Sequence, residues 1–133
     1  MPFYKSDYHN LHYVTVGDRT LPPLLLLHGF LGNHQDFNTV LSGLSQHFYC
    51  ILPDLPGHGK TLTEPNGYTF PATAATLLAL LKQLTVQQSC LLGYSMGGRI
   101  ALYLFCQFSD YFSAAVLDAA SPGLRSMTAQ MER

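Results

Sequence analysis

The sequence has little charge and no excess of either sign. Only 11% of its 133 residues are charged, and seven basic against eight acidic side chains give a formal net charge of -1. Without a basic surplus the chain lacks the electrostatic pattern of a protein that binds nucleic acid or a membrane surface. We therefore expect neither kind of partner. The charged fraction is also low for a free-standing small domain, which suggests that some surface is covered by other protein.

Long apolar segments and an even number of cysteines are also missing. No apolar run approaches the roughly 18 residues that a membrane span needs. The start of the chain, Met1 to Lys5, lacks the apolar core of a signal peptide. The odd set of Cys50, Cys90 and Cys106 lies in apolar stretches, which favours buried, reduced thiols. We expect a soluble, cytoplasmic protein, and the 47% hydrophobic content is enough for one core.

The stretch Gly93-Tyr94-Ser95-Met96-Gly97 organises the chain. An apolar run leads into it, and the residues from Arg99 to Phe105 have the composition of a helix. A Gly-x-Ser-x-Gly turn between a strand and a helix is typical of a nucleophile elbow, where a strained turn lifts the serine hydroxyl clear of the sheet. Glycines flank the serine because a Cβ would clash where strand and helix pass closely. Ser95 is the candidate nucleophile; the alternative is a Gly-rich turn with an idle serine.

Strand-like and helix-like segments alternate on both sides of this turn. Apolar runs bounded by Pro and Gly predict buried strands, and i, i+3, i+4, i+7 spacing predicts amphipathic helices. Such alternation indicates a mostly parallel sheet with right-handed crossovers and helices on both faces, an α/β fold. We predict a hairpin over residues 1–20, strands over 24–27, 48–52, 86–92 and 113–117, and helices over 33–47, 71–84 and 96–108, with Asn33 and Thr69 as helix caps.

Three motifs together resemble the α/β-hydrolase superfamily. They are His28-Gly29-Phe30, the loop from Asp54 to Gly59, and the elbow, and the resemblance extends from about Leu24 to Arg133. It implies an α/β-hydrolase fold. It also places an oxyanion loop at His28-Gly29-Phe30, so that the N–H groups of Phe30 and Met96 are the expected oxyanion donors.

The histidines and the aspartate of these motifs are expected to be structural. His28 is tempting as a catalytic base, but in this loop a histidine more often braces the oxyanion turn. Asp54 and His58 lie on the wrong strand for a triad, and we expect them to brace their loop by hydrogen bonds. His9 and His12 are expected on the surface of the first hairpin. We predict no metal site and no cofactor.

A narrower resemblance concerns the run Gly93-Tyr94-Ser95-Met96-Gly97-Gly98-Arg99 and the later Ser121-Pro122-Gly123-Leu124. These are similar to the 2-succinyl-6-hydroxy-2,4-cyclohexadiene-1-carboxylate (SHCHC) synthases of menaquinone and phylloquinone biosynthesis. Those enzymes eliminate pyruvate from an enolpyruvyl cyclohexene dicarboxylate. The resemblance implies a small-molecule dicarboxylate substrate. It assigns catalysis to Ser95 and substrate binding to Gly29, Tyr94, Arg99 and Arg133.

From the residues alone, the support for the arginines is limited. Arg99 lies one helical turn beyond Ser95, where a guanidinium suits capture of a carboxylate. The alternative is an arginine on the solvent side, and surface charge is an equally good interpretation of Arg125 and Arg133.

The partners that would activate the serine are not visible in the sequence. In this superfamily the order is Ser, then Asp or Glu, then His, and no histidine follows Ser95. Asp118 ends the next strand and is expected to be structural or to line the pocket. We therefore expect the N-terminal part of one hydrolase domain, with the hairpin at 1–20, a βα core at 21–120 and the start of a cap at 121–133.

Two other functions stay open at this point. A carboxylesterase or a C–C hydrolase would use the same elbow, although Arg99 does not suit an apolar ester pocket. A truncated, catalytically inactive fragment is the other alternative, because a serine without a histidine is a poor nucleophile.

Overall fold

The computed structural model describes residues 2–119. The strands are β1 (Phe3–Lys5), β2 (His9–Val16), β3 (Pro23–Leu27), β4 (Tyr49–Pro53), β5 (Leu62–Thr63), β6 (Ser89–Tyr94) and β7 (Phe112–Asp118). The α-helices are α1 (Asn38–Leu44), α2 (Phe70–Gln83) and α3 (Met96–Gln107). Short 3₁₀ turns lie at His34–Phe37, Pro65–Gly67 and Ser109–Tyr111.

These strands form one mixed sheet in the order β1-β2-β4-β3-β6-β7, with β5 paired to β2. The pairs β3–β4, β3–β6 and β6–β7 are parallel, whereas β2 runs antiparallel to β1, β4 and β5. The carboxyl ends of β3, β4, β6 and β7 therefore meet at one edge of the sheet. The expected α/β-hydrolase architecture, with a parallel centre and an antiparallel hairpin, is confirmed for this part of the chain.

The core lies on both faces of the sheet. In β3, Leu25 and Leu27 pack against α2 and α3. The alternate residues, Leu24 and Leu26, face the opposite side with Phe37 and the half-buried leucines of α1. Side chains alternate across a strand, so a run of four leucines can only be buried if both faces are covered. Burial of one such leucine contributes about 2 kcal/mol.

The helices begin at the predicted caps. The side chain of Asn33 accepts a hydrogen bond from the N–H of Gln35, and that of Thr69 accepts one from Ala72. The predicted helix over 33–47 is divided, however, into a 3₁₀ turn and the short α1. Its sequence Asn-Thr-Val-Leu-Ser-Gly-Leu is poor in strong helix formers. Val40, at one of the i, i+3, i+4, i+7 positions from Phe37 that predicted this helix, is 48% exposed.

The expectation that His9 and His12 lie on the surface is wrong. Their exposed fractions are 2% and 0%. The strand that carries them, β2, is paired by β1 on one edge and by β4 and β5 on the other. The unpredicted strand β5 pairs with His9, and Asp54 and His34 pack against the ring of His12. His9 is satisfied by Thr76 and by the carbonyl of Gly67, so its burial leaves neither ring nitrogen unpaired.

Two further expectations concern membrane-spanning segments and the start of a cap. Among residues 2–119, no helix has the length and apolar character needed to cross a membrane. The predicted start of a cap at 121–133 lies outside the described residues, as do Arg125 and Arg133.

Candidate active site

Ser95 occupies the turn between β6 and α3. Its φ of 54° and ψ of -115° lie in a region that L-residues rarely adopt, and such a backbone costs about 1–3 kcal/mol. Two hydrogen bonds hold the turn: the N–H of Ser95 donates to the carbonyl of Asp118 at 2.9 Å, and its carbonyl accepts from Arg99 N–H at 3.1 Å. The serine is half-buried. This strained strand-to-helix turn is the geometry of a nucleophile elbow.

The flanking glycines are required by close backbone contacts. A Cβ on Gly97 would overlap the backbone carbonyls of Leu27 and His28. One on Gly93 would lie 2.5 Å from the carbonyl oxygen of Gly97 and 2.6 Å from the Cα of Gly98. Neither neighbour is a flexible side chain, so α3 can reach this position against β3 and β6 only with glycine at both sites.

A loop of residues 28–34, here called the oxyanion loop, passes directly beside the serine. A Cβ on Gly29 would lie 2.8 Å from Tyr94 Cδ2 and 3.3 Å from Ser95 Cβ. Within residues 2–119, neither the N–H of Phe30 nor that of Met96 donates a hydrogen bond to another protein group. Met96 opens α3, whose N-terminal end carries a partial positive charge. Both amides are therefore available to an anion beside Ser95.

His28 braces this loop, as predicted. It is fully buried. Its Nε2 accepts a hydrogen bond from Leu55 N–H at 2.9 Å, so Nδ1–H donates to the carbonyl of Gly29 at 2.8 Å. Burial lowers the pKa of His28 below its ordinary value. A neutral ring with both nitrogens paired in this way has no free site for taking a proton from Ser95.

Asp54 fixes the other end of the oxyanion loop, which confirms its predicted bracing role. Its Oδ1 accepts from the N–H and the Nδ1–H of His34 at 2.9 and 2.7 Å. Its Oδ2 accepts from His12 Nδ1–H at 2.8 Å and Lys60 N–H at 3.1 Å. Burial raises the pKa of Asp54, but these four donors outweigh burial and lower it to about 2. Asp54 is therefore a carboxylate at neutral pH.

The same residues form the only group in the described part of the chain with the makings of a metal site. One ligand atom from each of His12, His34 and Asp54 lies within 4.8 Å of the others. The Nδ1 atoms of both histidines and both oxygens of Asp54 already take part in hydrogen bonds. The Nε2 atom of His12, by contrast, is buried without a partner among the described residues. With Nδ1 protonated, Nε2 carries only a lone pair, and Phe3 lies edge-on against the ring at 5.1 Å.

The two neighbours of Ser95 in the sequence line two different clefts, Tyr94 the first and Met96 the second. The first, here called the acidic cleft, has a volume of about 520 Å³ and includes Tyr94, Asp36 and Asp118. The second, here called the aromatic cleft, has about 270 Å³. Its apolar lining consists of Phe30, Tyr68, Phe70, Met96 and Ile100. Because Tyr94 and Met96 flank the serine, one cleft offers negative charge to a ligand at Ser95 and the other an apolar wall.

A family profile described as alpha/beta hydrolase fold matches residues 22–132 of the chain. The chain belongs to the alpha/beta hydrolase fold family. The elbow, the oxyanion loop and the Asp54 loop are thus parts of a hydrolase-fold site, as their motifs indicate.

Individual relatives include both synthases and hydrolases. The chain is 37% identical over 118 residues to the chloroplastic protein PHYLLO of Arabidopsis thaliana, an alignment that covers 82% of the chain and 7% of that protein. It is 33% identical over 120 residues to the SHCHC synthase of Salmonella paratyphi B, covering 88% of the chain and 46% of the synthase. A solved hydrolase structure from Pseudomonas aeruginosa matches with a TM-score of 0.87 and 27% identity, covering 98% of the chain and 49% of that structure.

These relatives support an enzyme in general. The chain spans less than half the length of the two curated relatives named above. The run Gly93 to Arg99 predicts a similarity to SHCHC synthases. The match to the Salmonella paratyphi B synthase confirms it. The roles of individual site residues stay predictions.

Arg99 is separated from both clefts in this hydrolase-fold chain. It is exposed on α3 and lines a groove of about 310 Å³ with Phe70, Tyr103 and Cys106. Phe70 also lines the aromatic cleft, so the groove of Arg99 and that cleft share this residue. Among residues 2–119 the guanidinium has no acidic partner within salt-bridge distance. Its charge is therefore free to meet a ligand that extends past Phe70.

Histidine does not contact the serine within the described residues. All six histidines precede Ser95 in the sequence. Hydrogen bonds to other groups hold five of them, namely His9, His12, His28, His34 and His58. The partners of His58 are Leu31 and Pro56. His47 lies exposed after α1. The described residues thus present a candidate nucleophile and two candidate oxyanion donors, but no histidine hydrogen-bonded to Ser95.

The role of His34 was not predicted. Its partners are Asp54 and, through Asp54, His12, which come from three separate segments of the chain. No local spacing signals such a contact. Only the Asp-x-Pro-Gly-x-Gly pattern beginning at Asp54 indicated that this loop was constrained.

Proposed function

We propose that this chain supplies the serine and the oxyanion donors of an SHCHC synthase-like lyase. The observation that carries the proposal is Ser95 in the elbow conformation, with its Cβ side directly against Gly29 of the oxyanion loop. The choice of a synthase rests on the 33–37% identity to SHCHC synthase and to PHYLLO over more than four fifths of the chain.

In the proposed reaction a base-activated Ser95 removes the proton α to the succinyl carbonyl of the substrate. The electron pair of that C–H bond forms an enolate, whose oxygen is held by the N–H groups of Phe30 and Met96. As the enolate collapses, a new double bond forms in the ring and the bond between the ring carbon and the enolpyruvyl oxygen breaks, with its electron pair going to that oxygen. The leaving group departs as the enolate of pyruvate and becomes pyruvate by taking up a proton, which balances the proton removed at the start. Donors fixed in advance beside the developing charge are the largest contribution that such a site makes.

The charges around the site suggest how a dicarboxylate would lie. Asp36 and Asp118 in the acidic cleft would repel substrate carboxylates. The aromatic cleft has no acidic residue in its lining and shares Phe70 with the groove of Arg99, whose guanidinium has no acidic partner among residues 2–119. We therefore place the cyclohexene ring in the aromatic cleft and one carboxylate on Arg99.

The proposal requires a histidine that residues 2–119 do not bring to Ser95. A serine hydroxyl needs a neighbouring base to act as a nucleophile or to transfer a proton. The activity is therefore assigned to the natural gene product as a whole, with the chain described here providing its serine.

A carboxylesterase or C–C hydrolase is the second candidate. The apolar lining of the aromatic cleft, with Phe30, Met96 and Ile100, suits an uncharged acyl group. The similarity to the Pseudomonas aeruginosa hydrolase favours it as well. On this alternative, Arg99 would have no role in binding.

The test is a comparison of two activities in the natural gene product. Pyruvate release from the enolpyruvyl dicarboxylate is measured beside hydrolysis of a p-nitrophenyl ester. We expect pyruvate release that falls by about 10³-fold or more in Ser95→Ala. Arg99→Ala should raise KM for the dicarboxylate about tenfold or more, since a charge-assisted bond contributes about 1.5–3 kcal/mol.

The matched control is Lys82→Ala, which removes an exposed positive charge on α2 and should change neither activity. Ester hydrolysis without pyruvate release would contradict the lyase and favour the second candidate. A form of the natural gene product that does neither would contradict both.

A further inference from the structure

We propose that His58 is a positioning residue that holds the oxyanion loop so that the N–H of Phe30 points at the substrate oxygen. This inference rests on the proposed function, because it assigns His58 to the oxyanion donor of that reaction. His58 also lines the aromatic cleft, but it contacts no reacting atom of the proposed reaction. It acts through the backbone of the residue that follows Phe30.

The contact is a hydrogen bond from the loop backbone to the histidine ring. The N–H of Leu31 donates to His58 Nε2 at 3.0 Å. The other nitrogen, Nδ1, then carries the proton and donates to the carbonyl of Pro56 at 2.9 Å. The Pro56 carbonyl thereby fixes both the tautomer and the orientation of the ring, so that Nε2 presents its lone pair to the loop.

The loop needs such a contact because its middle is strained and unburied. Leu31 has a φ of 67°, a left-handed conformation that costs a leucine about 1–2 kcal/mol. Its side chain is 83% exposed, so packing does not offset this cost. A local bond from Gly32 N–H to the carbonyl of Gly29 closes the turn at 3.1 Å, but it does not reach outside the loop.

The loop ends are held separately from its middle. His28, at the start, is bonded to Leu55, and His34, at the end, is bonded to Asp54. The bond from Leu31 to His58 is the one between these two anchors. Gly29 lies against Ser95 on one side of Phe30, and Leu31 is held by His58 on the other, so the two neighbours together restrict the direction of the Phe30 N–H.

The ring of His58 also touches the two side chains beside the oxyanion position. Its centroid lies 5.7 Å from that of Phe30 and 5.2 Å from that of His28, both edge-on. Loss of His58 should therefore loosen Phe30 while both anchors of the loop keep their bonds. This predicts a loss of rate with little loss of stability.

Two substitutions separate the bond to Leu31 from the bond to Pro56. In His58→Gln the amide oxygen can occupy the place of Nε2 and accept from Leu31 N–H. In His58→Asn the shorter amide reaches only the place of Nδ1, so it keeps the bond to Pro56 and loses the bond to Leu31. Each variant thus keeps one of the two bonds of His58, and only His58→Gln keeps the bond to Leu31 that is under test.

The first readout is the kinetics of pyruvate release by the natural gene product. Removal of a whole oxyanion donor costs about 10²–10³-fold in kcat, so misdirecting one should cost about 10-fold or more. We expect this loss in His58→Asn, with KM within about twofold of wild type because the donor acts on the developing charge. His58→Gln should recover most of kcat. Equal kcat in the two variants, or a loss confined to KM, would overturn the proposal.

The second readout does not depend on activity. In wild type and His58→Gln, the Leu31 amide should exchange its hydrogen at least about tenfold more slowly than in His58→Asn, although the residue is exposed. If wild type releases no pyruvate, the proposed lyase fails, and the exchange rate together with the rate of Ser95 labelling by a fluorophosphonate still decides the role of His58. Fast exchange of Leu31 in wild type would overturn that role, and so would equal labelling of the two variants.

Discussion

Substitution of Asp54 by asparagine changes the charge and the acceptor pattern of the brace behind the oxyanion loop without changing its size. In wild type, both carboxylate oxygens accept from a backbone N–H, that of His34 at Oδ1 and that of Lys60 at Oδ2. An asparagine has one oxygen, so one of these partly buried backbone amides must face an NH₂ group. The imidazoles of His12 and His34 can change tautomer to suit it, but a backbone amide cannot.

The magnitude follows from two contributions. A pKa lowered from 3.8 to about 2 means that the fold prefers the carboxylate over the neutral acid by about 2 kcal/mol. A buried amide left without an acceptor costs about 1–3 kcal/mol. These overlap in part, and we expect Asp54→Asn to lower the free energy of unfolding by about 2–4 kcal/mol at neutral pH.

The pH dependence of this difference is the sharper prediction. Because the pKa of Asp54 is depressed in the folded state, its contribution is complete above about pH 4 and is lost as the pH falls towards 2. The gap in stability between wild type and Asp54→Asn should narrow by about 1 kcal/mol from pH 6 to pH 3. Other carboxylates titrate equally in both proteins and cancel in this difference.

The assay is urea unfolding of both proteins at pH 6 and pH 3. The matched control is Asp7→Asn at an exposed turn residue, which should change stability by less than about 0.5 kcal/mol at either pH. A gap that stays the same at pH 3, or an Asp54→Asn protein as stable as wild type, would refute the assignment of Asp54 as a carboxylate held by four donors.

Three substitutions test the backbone geometry by thermal or urea unfolding. Gly97→Ala should lower stability by about 3 kcal/mol or more, because its Cβ would overlap the carbonyls of Leu27 and His28; wild-type stability would contradict the close packing of α3. Gly43→Ala, in the interior of α1 with nothing within 4 Å of its Cβ, should raise stability by about 0.5–1 kcal/mol. Thr85→Gly should also raise it, by about 1 kcal/mol, because Thr85 ends α2 with a φ of 61°; a loss of stability there would mean that the threonine side chain has a role of its own.

Much of the fold could be predicted because its signals are local. The four leucines of β3, the cap at Thr69 and the glycines of the elbow each act on their nearest neighbours in the chain or on the next strand. The elbow was predictable for a further reason. The close approach of helix and strand excludes every side chain at Gly93 and Gly97, so only glycine can stand at these two positions of the sequence.

The brace and the hold on the oxyanion loop could not be predicted in the same way. His12, His34 and Asp54 meet from three segments, and their meeting depends on the order β2-β4-β3 in the sheet. The bond between Leu31 and His58 joins residues 27 positions apart. His12 was wrongly expected on the surface because alternation along a strand indicates which residues share a face, but not that Asp54 and His34 from distant loops pack against the ring of His12.

If Ser95 is the nucleophile of this strained elbow, as we propose, its hydroxyl should react with a serine-directed electrophile. The most direct measurement is labelling of the folded natural gene product with a fluorophosphonate, followed by mass spectrometry of its peptides. We predict one adduct, on the peptide that contains Ser95. This adduct should be absent in Ser95→Ala and in protein unfolded in urea. An adduct on another residue, or a folded wild-type protein that gains no adduct, would contradict it.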